Sequence, residues 1–159
     1  MERVGIGTDL HRLAFGRSLV LGGVRVDSPK GAVGHSDGDT LTHAVIDAIL
    51  GASGLGDIGH HFPDSDQKWK DANSIEMLKT ALQLVKHAGY EVVNIDASVH
   101  LEQPKLGGLK GEMASNLAAA LNIPRHMVNI KAKSGESVGD VGRGEVVEAF
   151  VAALVRTVV

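Results

Sequence analysis

Residues 93 to 102 alternate without a break. Val93, Ile95, Ala97, Val99 and Leu101 fall on one parity, and Asn94, Asp96, Ser98, His100 and Glu102 on the other. Successive side chains of a strand point to opposite faces, so this run demands a sheet with one buried face and one polar face. The buried face needs a cover, and the rest of the chain has to supply it.

Three segments have the spacing of such a cover. From Thr40, apolar residues recur at Leu41, Ala44, Val45, Ala48 and Ile49, a helix that Gly51 and Gly54 end. Ile75, Leu78, Leu82 and Val85 mark a second helix closed by Gly89, started by Asn73 with Glu76 or by Ser74 as the cap. Leu109, Met113, Leu117 and Leu121 mark a third, before Asn122 and Pro124. Val128, Ile130 and Ala132 read as a further strand. SGESVGDVGRG leads into an expected last helix carrying Val147, Phe150, Val151 and Leu154.

At the N-terminus, Arg3 to Gly7 alternates with Val4 and Ile6 expected inward. Ser18 to Val26 reads as two short strands about Gly22 and Gly23. The expected fold is therefore α+β: a single domain over residues 1–159, with a mixed β-sheet, helices packed on one face and an N-terminal β-hairpin. A length of 159 residues suits one domain.

Composition removes several functions. No run approaches the ~18 consecutive apolar residues of a membrane span, and 43% hydrophobic with 22% charged residues excludes a disordered chain. MERVGIGTDL lacks the basic and apolar regions of an export signal, so a cytoplasmic location is expected. With no cysteine, a transition-metal site has only histidine and carboxylate to draw on. A net charge of -3, no long Lys or Arg run and 3% aromatics argue against a nucleic-acid partner.

The chemistry-bearing residues lie in a few short stretches. In GTDLHRL, Asp9 and His11 are two apart after a strand, so both face one side and can reach one ion. On the helix from Thr40, at about 100° per residue, His43 lies about 200° from the apolar centre. It therefore faces solvent or a site rather than the helix's own core. With Asp9 and His11 it would complete a two-histidine, one-carboxylate set with an open fourth position, as catalytic zinc sites have.

In GHSDGD, Asp37 and Asp39 suit capping of that helix, while His35 and Ser36 stand beside amides that suit a phosphate. Gly34 and Gly38 would let backbone approach a ligand. The segment from GLGDIG to FPDSD places Asp57, Asp64 and Asp66 in a loop, by itself ordinary turn chemistry. KAKSGE offers Lys131, Lys133, Ser134 and Glu136, whose bland reading is surface charge and whose carboxylate would suit Mg²⁺.

GTDLHRL, LGGVRV, GHSDGDTLTHAVIDAILGASGLGDIGHHFPDSD, QPKL, NIKAKSGE and GRGE, in that order and spacing, resemble the 2-C-methyl-D-erythritol 2,4-cyclodiphosphate synthase family over nearly the whole chain. The resemblance implies a cyclising phosphorus-oxygen lyase of non-mevalonate isoprenoid biosynthesis. Such an enzyme converts 4-diphosphocytidyl-2-C-methyl-D-erythritol 2-phosphate to the 2,4-cyclodiphosphate and releases CMP.

It also implies zinc on Asp9, His11 and His43, and Mg²⁺ or Mn²⁺ on Glu136. It makes His35 and Ser134 the catalytic pair. Substrate contacts fall on the zinc-ligand segment with Asp9 and His11, on His35 and Ser36, and on Asp57, Ile58, Gly59, Phe62, Pro63, Asp64, Ser65 and Asp66. They continue at Pro104, Lys105, Lys133, Ser134, Glu136 and Arg143. The implied partner is a second and third copy of the chain, a homotrimer with active sites at subunit interfaces.

Two positions depart from the family pattern. Lys133, Ser134 and Gly135 replace a threonine-rich run, leaving Ser134 its hydroxyl, and Asp140 replaces an aromatic residue. The same metal set could alternatively activate water in a phosphohydrolase, or serve a trimeric metal- or isoprenoid-phosphate-binding protein without catalysis.

Overall fold

A computed structural model describes residues Met1–Val159. Its strands are β1 (Glu2–Phe15), β2 (Leu19–Leu21), β3 (Val24–Val26), β4 (Lys30–Ala32), β5 (Tyr90–His100), β6 (Val128–Lys133) and β7 (Val146–Thr157). The helices are α1 (Thr40–Ala52), α2 (Ile58–His61), α3 (Ser74–His87), α4 (Lys110–Leu121) and α5 (Gly139–Gly142). The strands form a five-stranded mixed sheet in the order β4-β1-β7-β5-β6, with β5 and β6 parallel and β7 antiparallel to both its neighbours. β2 and β3 form a separate hairpin about Gly22 and Gly23. No helix is long and apolar enough to cross a membrane.

The alternation that opened the sequence is β5, with Ile95, Ala97 and Val99 buried. Asn73 caps α3 by accepting hydrogen bonds from the Ile75 and Glu76 amides, which leaves Ser74 inside the helix rather than at its cap.

Two expectations are corrected. The last apolar run is not a helix but β7, in the middle of the sheet. Val147, Ala149, Val151, Ala153 and Val155 are buried at period two. Phe150 and Leu154 belong to the opposite face and matched a helical spacing by coincidence. A strand apolar on both faces loses its alternation signal, and β-branched valines then favour the strand.

Val4 and Ile6 do not point inward either; they are 70% and 73% exposed. Gly5 and Gly7 take the inner face of β1, where α1 lies directly on the strand. A Cβ on Gly5 would stand 2.0 Å from the Ala48 carbonyl oxygen, and one on Gly7 1.9 Å from that of Ala44. Only glycine permits that approach.

Asp39 joins hairpin to helix. Its carboxylate accepts the Gly22 amide at 2.9 Å, the Gly23 amide at 2.8 Å, the Thr42 amide at 2.9 Å and the Thr42 hydroxyl at 2.8 Å. It is wholly buried. Burial pushes its carboxyl above the ordinary range, and these donors oppose the shift.

Candidate active site

The inner face of β1 passes from Gly5 and Gly7 to Asp9 and His11. The glycines hold α1 against the strand, so the two side chains after them meet the start of that helix. The Thr40 hydroxyl lies 2.9 Å from His11 Nδ1. Asp9 Oδ2 lies 3.0 Å from His11 Nδ1 and 3.2 Å from His43 Nδ1. Asp9, His11 and His43 each offer a donor atom within 4.8 Å of the others.

His43 is only 8% exposed, so of its two expected settings the site is the one it takes. A carboxylate and two imidazoles converging this closely suit a divalent transition metal.

Electrostatics tie the three together. Burial alone would raise the Asp9 carboxyl, but hydrogen bonds and charge from His11 and His43 overcome it and hold it below the ordinary carboxylate range. Burial would lower His43, and the Asp9 bond and charge reverse this and raise it. Without a metal the pair therefore favours a protonated His43 beside an ionised Asp9; a metal would take that proton's place.

The triad lies in the wall of a cavity of about 500 Å³. Val33, Gly34, His35 and Ser36 line one side, and Ile58, Gly59, Phe62, Pro63 and Asp64 the other. Trp69 and Met77 complete it, with Trp69 edge-on to Phe62 at 4.7 Å. Two bonds fold the second loop over the first: the Asp71 amide donates to the His35 carbonyl, and the Asp37 amide to the Ala72 carbonyl.

Local geometry revises several readings. At the start of α1, Asp39 is the cap, its carboxylate accepting the Thr42 amide. The glycines of GHSDGD accommodate protein: a Cβ on Gly34 would come within 3.1 Å of the His11 ring, and one on Gly38 within 2.8 Å of Ala32. Asp57 accepts the His60 amide as the cap of α2, and Asp66 the Lys68 amide. Asp64 and Ser65 are exposed.

The other candidates lie elsewhere. Pro104, Lys105, Lys133 and Ser134 line a separate cavity of about 260 Å³ beside β6. Ser134 donates to Glu136 Oε1 at 3.2 Å, and Glu102 shapes this loop by accepting the Gly135 and Ser137 amides. Arg143 pairs with Asp140 and with Glu145 at 3.1 Å, and Lys131 with Asp96 at 2.6 Å. Because β7 and β5 stand between β1 and β6, the two groups are about 14 Å apart at the usual strand spacing. Within one chain, His35 and Ser134 do not share a pocket.

Sequence reasoning missed Ser74, Thr40, Trp69 and Met77. Ser74 read as a helix cap, and Thr40 as a helix start. Its pairing with His11 and its bond to the Gly38 carbonyl carried no signal in spacing.

The fold is that of a small α+β enzyme with a corner that could hold a metal, and known proteins share this fold over nearly the whole of this chain. The chain matches the YgbB family over residues 2–156 and belongs to it. It is 52% identical to the 2-C-methyl-D-erythritol 2,4-cyclodiphosphate synthase of Salinibacter ruber, over 98% of this chain and 99% of that one.

Solved structures agree. The bifunctional IspDF from Campylobacter jejuni is 41% identical with a TM-score of 0.95, covering 99% of this chain and 43% of that one. IspF of Plasmodium falciparum, in a CDP complex, is 31% identical with a TM-score of 0.86, over 98% and 96% of the two chains.

Proposed function

We propose that this chain closes 4-diphosphocytidyl-2-C-methyl-D-erythritol 2-phosphate into 2-C-methyl-D-erythritol 2,4-cyclodiphosphate and releases CMP. The observation that carries the proposal is the convergence of Asp9, His11 and His43 in the wall of the His35, Ser36 and Asp64 cavity. In the reaction, an oxygen of the 2-phosphate bonds to the β-phosphorus. The bond from that phosphorus to the oxygen bridging to the α-phosphate breaks, and its electron pair leaves on CMP.

No protein nucleophile is required. The protein's task is to hold attacker and phosphorus in line and to offset charge. His35 and Ser36 meet the phosphate, while Asp57, Ile58, Gly59, Phe62, Pro63, Asp64, Ser65 and Asp66 hold the erythritol. Pro104, Lys105, Lys133 and Ser134 hold the cytidine diphosphate part, Ser134 placing its hydroxyl beside the transferred phosphorus. Arg143 reaches substrate by exchanging one of its carboxylate partners.

When bound, zinc at Asp9, His11 and His43 and Mg²⁺ or Mn²⁺ at Glu136 would polarise phosphate oxygens and neutralise the diphosphate. Glu136 fits a hard cation, being an exposed carboxylate that accepts a single hydroxyl.

Two observations favour a homotrimer with each site shared by neighbours. His35 and Ser134 stand on opposite sides of the sheet's middle, and the sheet's outer face carries exposed Val4, Ile6, Leu10 and Phe150. An apolar surface of this kind marks an interface. The proposal includes a cytoplasmic location, in keeping with a nucleotide substrate too charged to cross a bilayer unaided.

Phosphorus NMR of the products tests the reaction. The expected product is a cyclic diphosphate with CMP; linear phosphates alone would indicate a hydrolase and overturn the proposal.

A further inference from the structure

The two nitrogens of His43 face different surroundings. Nδ1 faces Asp9, whereas Nε2 lies 2.8 Å from the Ser74 hydroxyl and 3.0 Å from that of Ser36. Ser74 is wholly buried and stands in the first turn of α3. Its hydroxyl is not a cap, because Asn73 supplies that. It donates instead to Asp37 Oδ1.

The direction of each proton follows. An ionised carboxylate can only accept, so the Ser74 proton points to Asp37. The Ser74 oxygen then has only lone pairs left for His43, and it must accept from Nε2–H. With the proton fixed on Nε2, the Nδ1 lone pair is left for the Asp9 and His11 corner. Asp37 is itself held by the Ser74 amide at 2.9 Å and the Asp39 amide at 3.1 Å. Ser36, less buried and lining the cavity, keeps its own proton for a substrate oxygen.

We propose that Asp37 and Ser74 are positioning residues of the metal site, forming a buried chain that fixes the orientation and tautomer of His43. The inference rests on the reading of Asp9, His11 and His43 as metal ligands. Ligating histidines are commonly oriented in this way, and loss of the orienting partner typically weakens metal binding about 10- to 100-fold.

The test uses the full-length protein labelled with ¹⁵N-histidine and loaded with Zn²⁺. Its two readouts are the His43 ring signals and the zinc dissociation constant, the latter by competition with a chromophoric chelator. The expected spectrum shows metal on Nδ1 and an exchange-protected proton on Nε2. Ser74→Ala leaves the helix cap in place, and Asp37→Asn sets an amide donor against existing donors. Each is expected to weaken zinc binding about 10- to 100-fold.

Zinc on Nε2 in the unmodified protein would overturn the proposal. So would a folded Ser74→Ala variant with zinc affinity within about twofold of the parent, far below the expected loss. Should a variant fail to fold, the spectrum of the unmodified protein decides alone. An unmodified protein that takes up no zinc would remove the ligand reading itself, and the inference with it.

Discussion

Asp9 Oδ2 lies 3.2 Å from His43 Nδ1, across 34 residues of chain. The contact depends on Gly5 and Gly7, since no other residue lets α1 descend far enough onto β1 for so short a carboxylate to reach the helix. Packing and the geometry of the Asp9, His11 and His43 corner are therefore one problem in this protein.

Replacing Gly7 by alanine should separate the two elements. The added Cβ meets backbone that cannot rotate away, so a loss of at least about 3 kcal/mol is expected, the top of the usual overpacking range. Urea unfolding measures it, and zinc affinity should fall with it. An alanine variant of parental stability would show that α1 is less firmly seated on the strand.

His43→Ala should lower zinc content by two orders of magnitude or so at limiting metal, by analogy with the loss of orienting groups alone. The fold should be largely kept, because His43 bonds polar groups rather than filling the core. Metal analysis of the purified variant checks this; undiminished zinc would remove His43 from the ligand set.

Asp39→Ala should be costly in a different way. Four donors from two elements lose their acceptor, and about 2 to 4 kcal/mol of stability should go. Thermal unfolding of the variant measures the loss, and a change under about 1 kcal/mol would mean that water replaces the carboxylate.

The fold was partly legible in the residues. The alternation of β5 identified a half-buried strand, and the spacing of α1, α3 and α4 identified helices, because each has one apolar face. β7 has two, so period two was masked and Phe150 with Val151 imitated a helix. Alternation in β1 was visible, but it does not say which face is inside; an inner face made of glycine has no hydrophobic signal at all. For the site, Asp9 and His11 could be paired by strand geometry. Their meeting with His43 needed the family resemblance, and Ser74 was hidden by its likeness to a cap.

The metal-free protein should show a pH signature of the Asp9 and His43 pair. Asp9 titrates below its ordinary 3.8, so its contribution is complete above 3.8 and lost as pH falls through the depressed value. His43 titrates above its ordinary 6.5, so its contribution is complete below 6.5 and lost as pH rises through the raised value. Between these two pH values the pair stabilises most. Melting temperatures of chelator-treated protein should show that plateau, and His43→Ala should flatten its alkaline edge.

Shared sites predict complementation. A His43→Ala chain and a Glu136→Ala chain should each be inactive alone, while every mixed trimer should regain one of its three sites, about one quarter of all sites in a random equal mixture. Coexpression followed by assay of the hetero-trimers checks it. No recovery would mean that each site is built within one chain.

The central claim is a metal-assisted cyclisation at Asp9, His11 and His43. It is tested most directly by CMP release with the second product identified by phosphorus NMR, in protein as purified, after zinc removal by chelator, and after zinc is restored. The account predicts cyclic diphosphate in step with CMP, loss of both on removal and recovery of both on restoration. Undiminished cyclic product from protein shown by metal analysis to hold no zinc would contradict it.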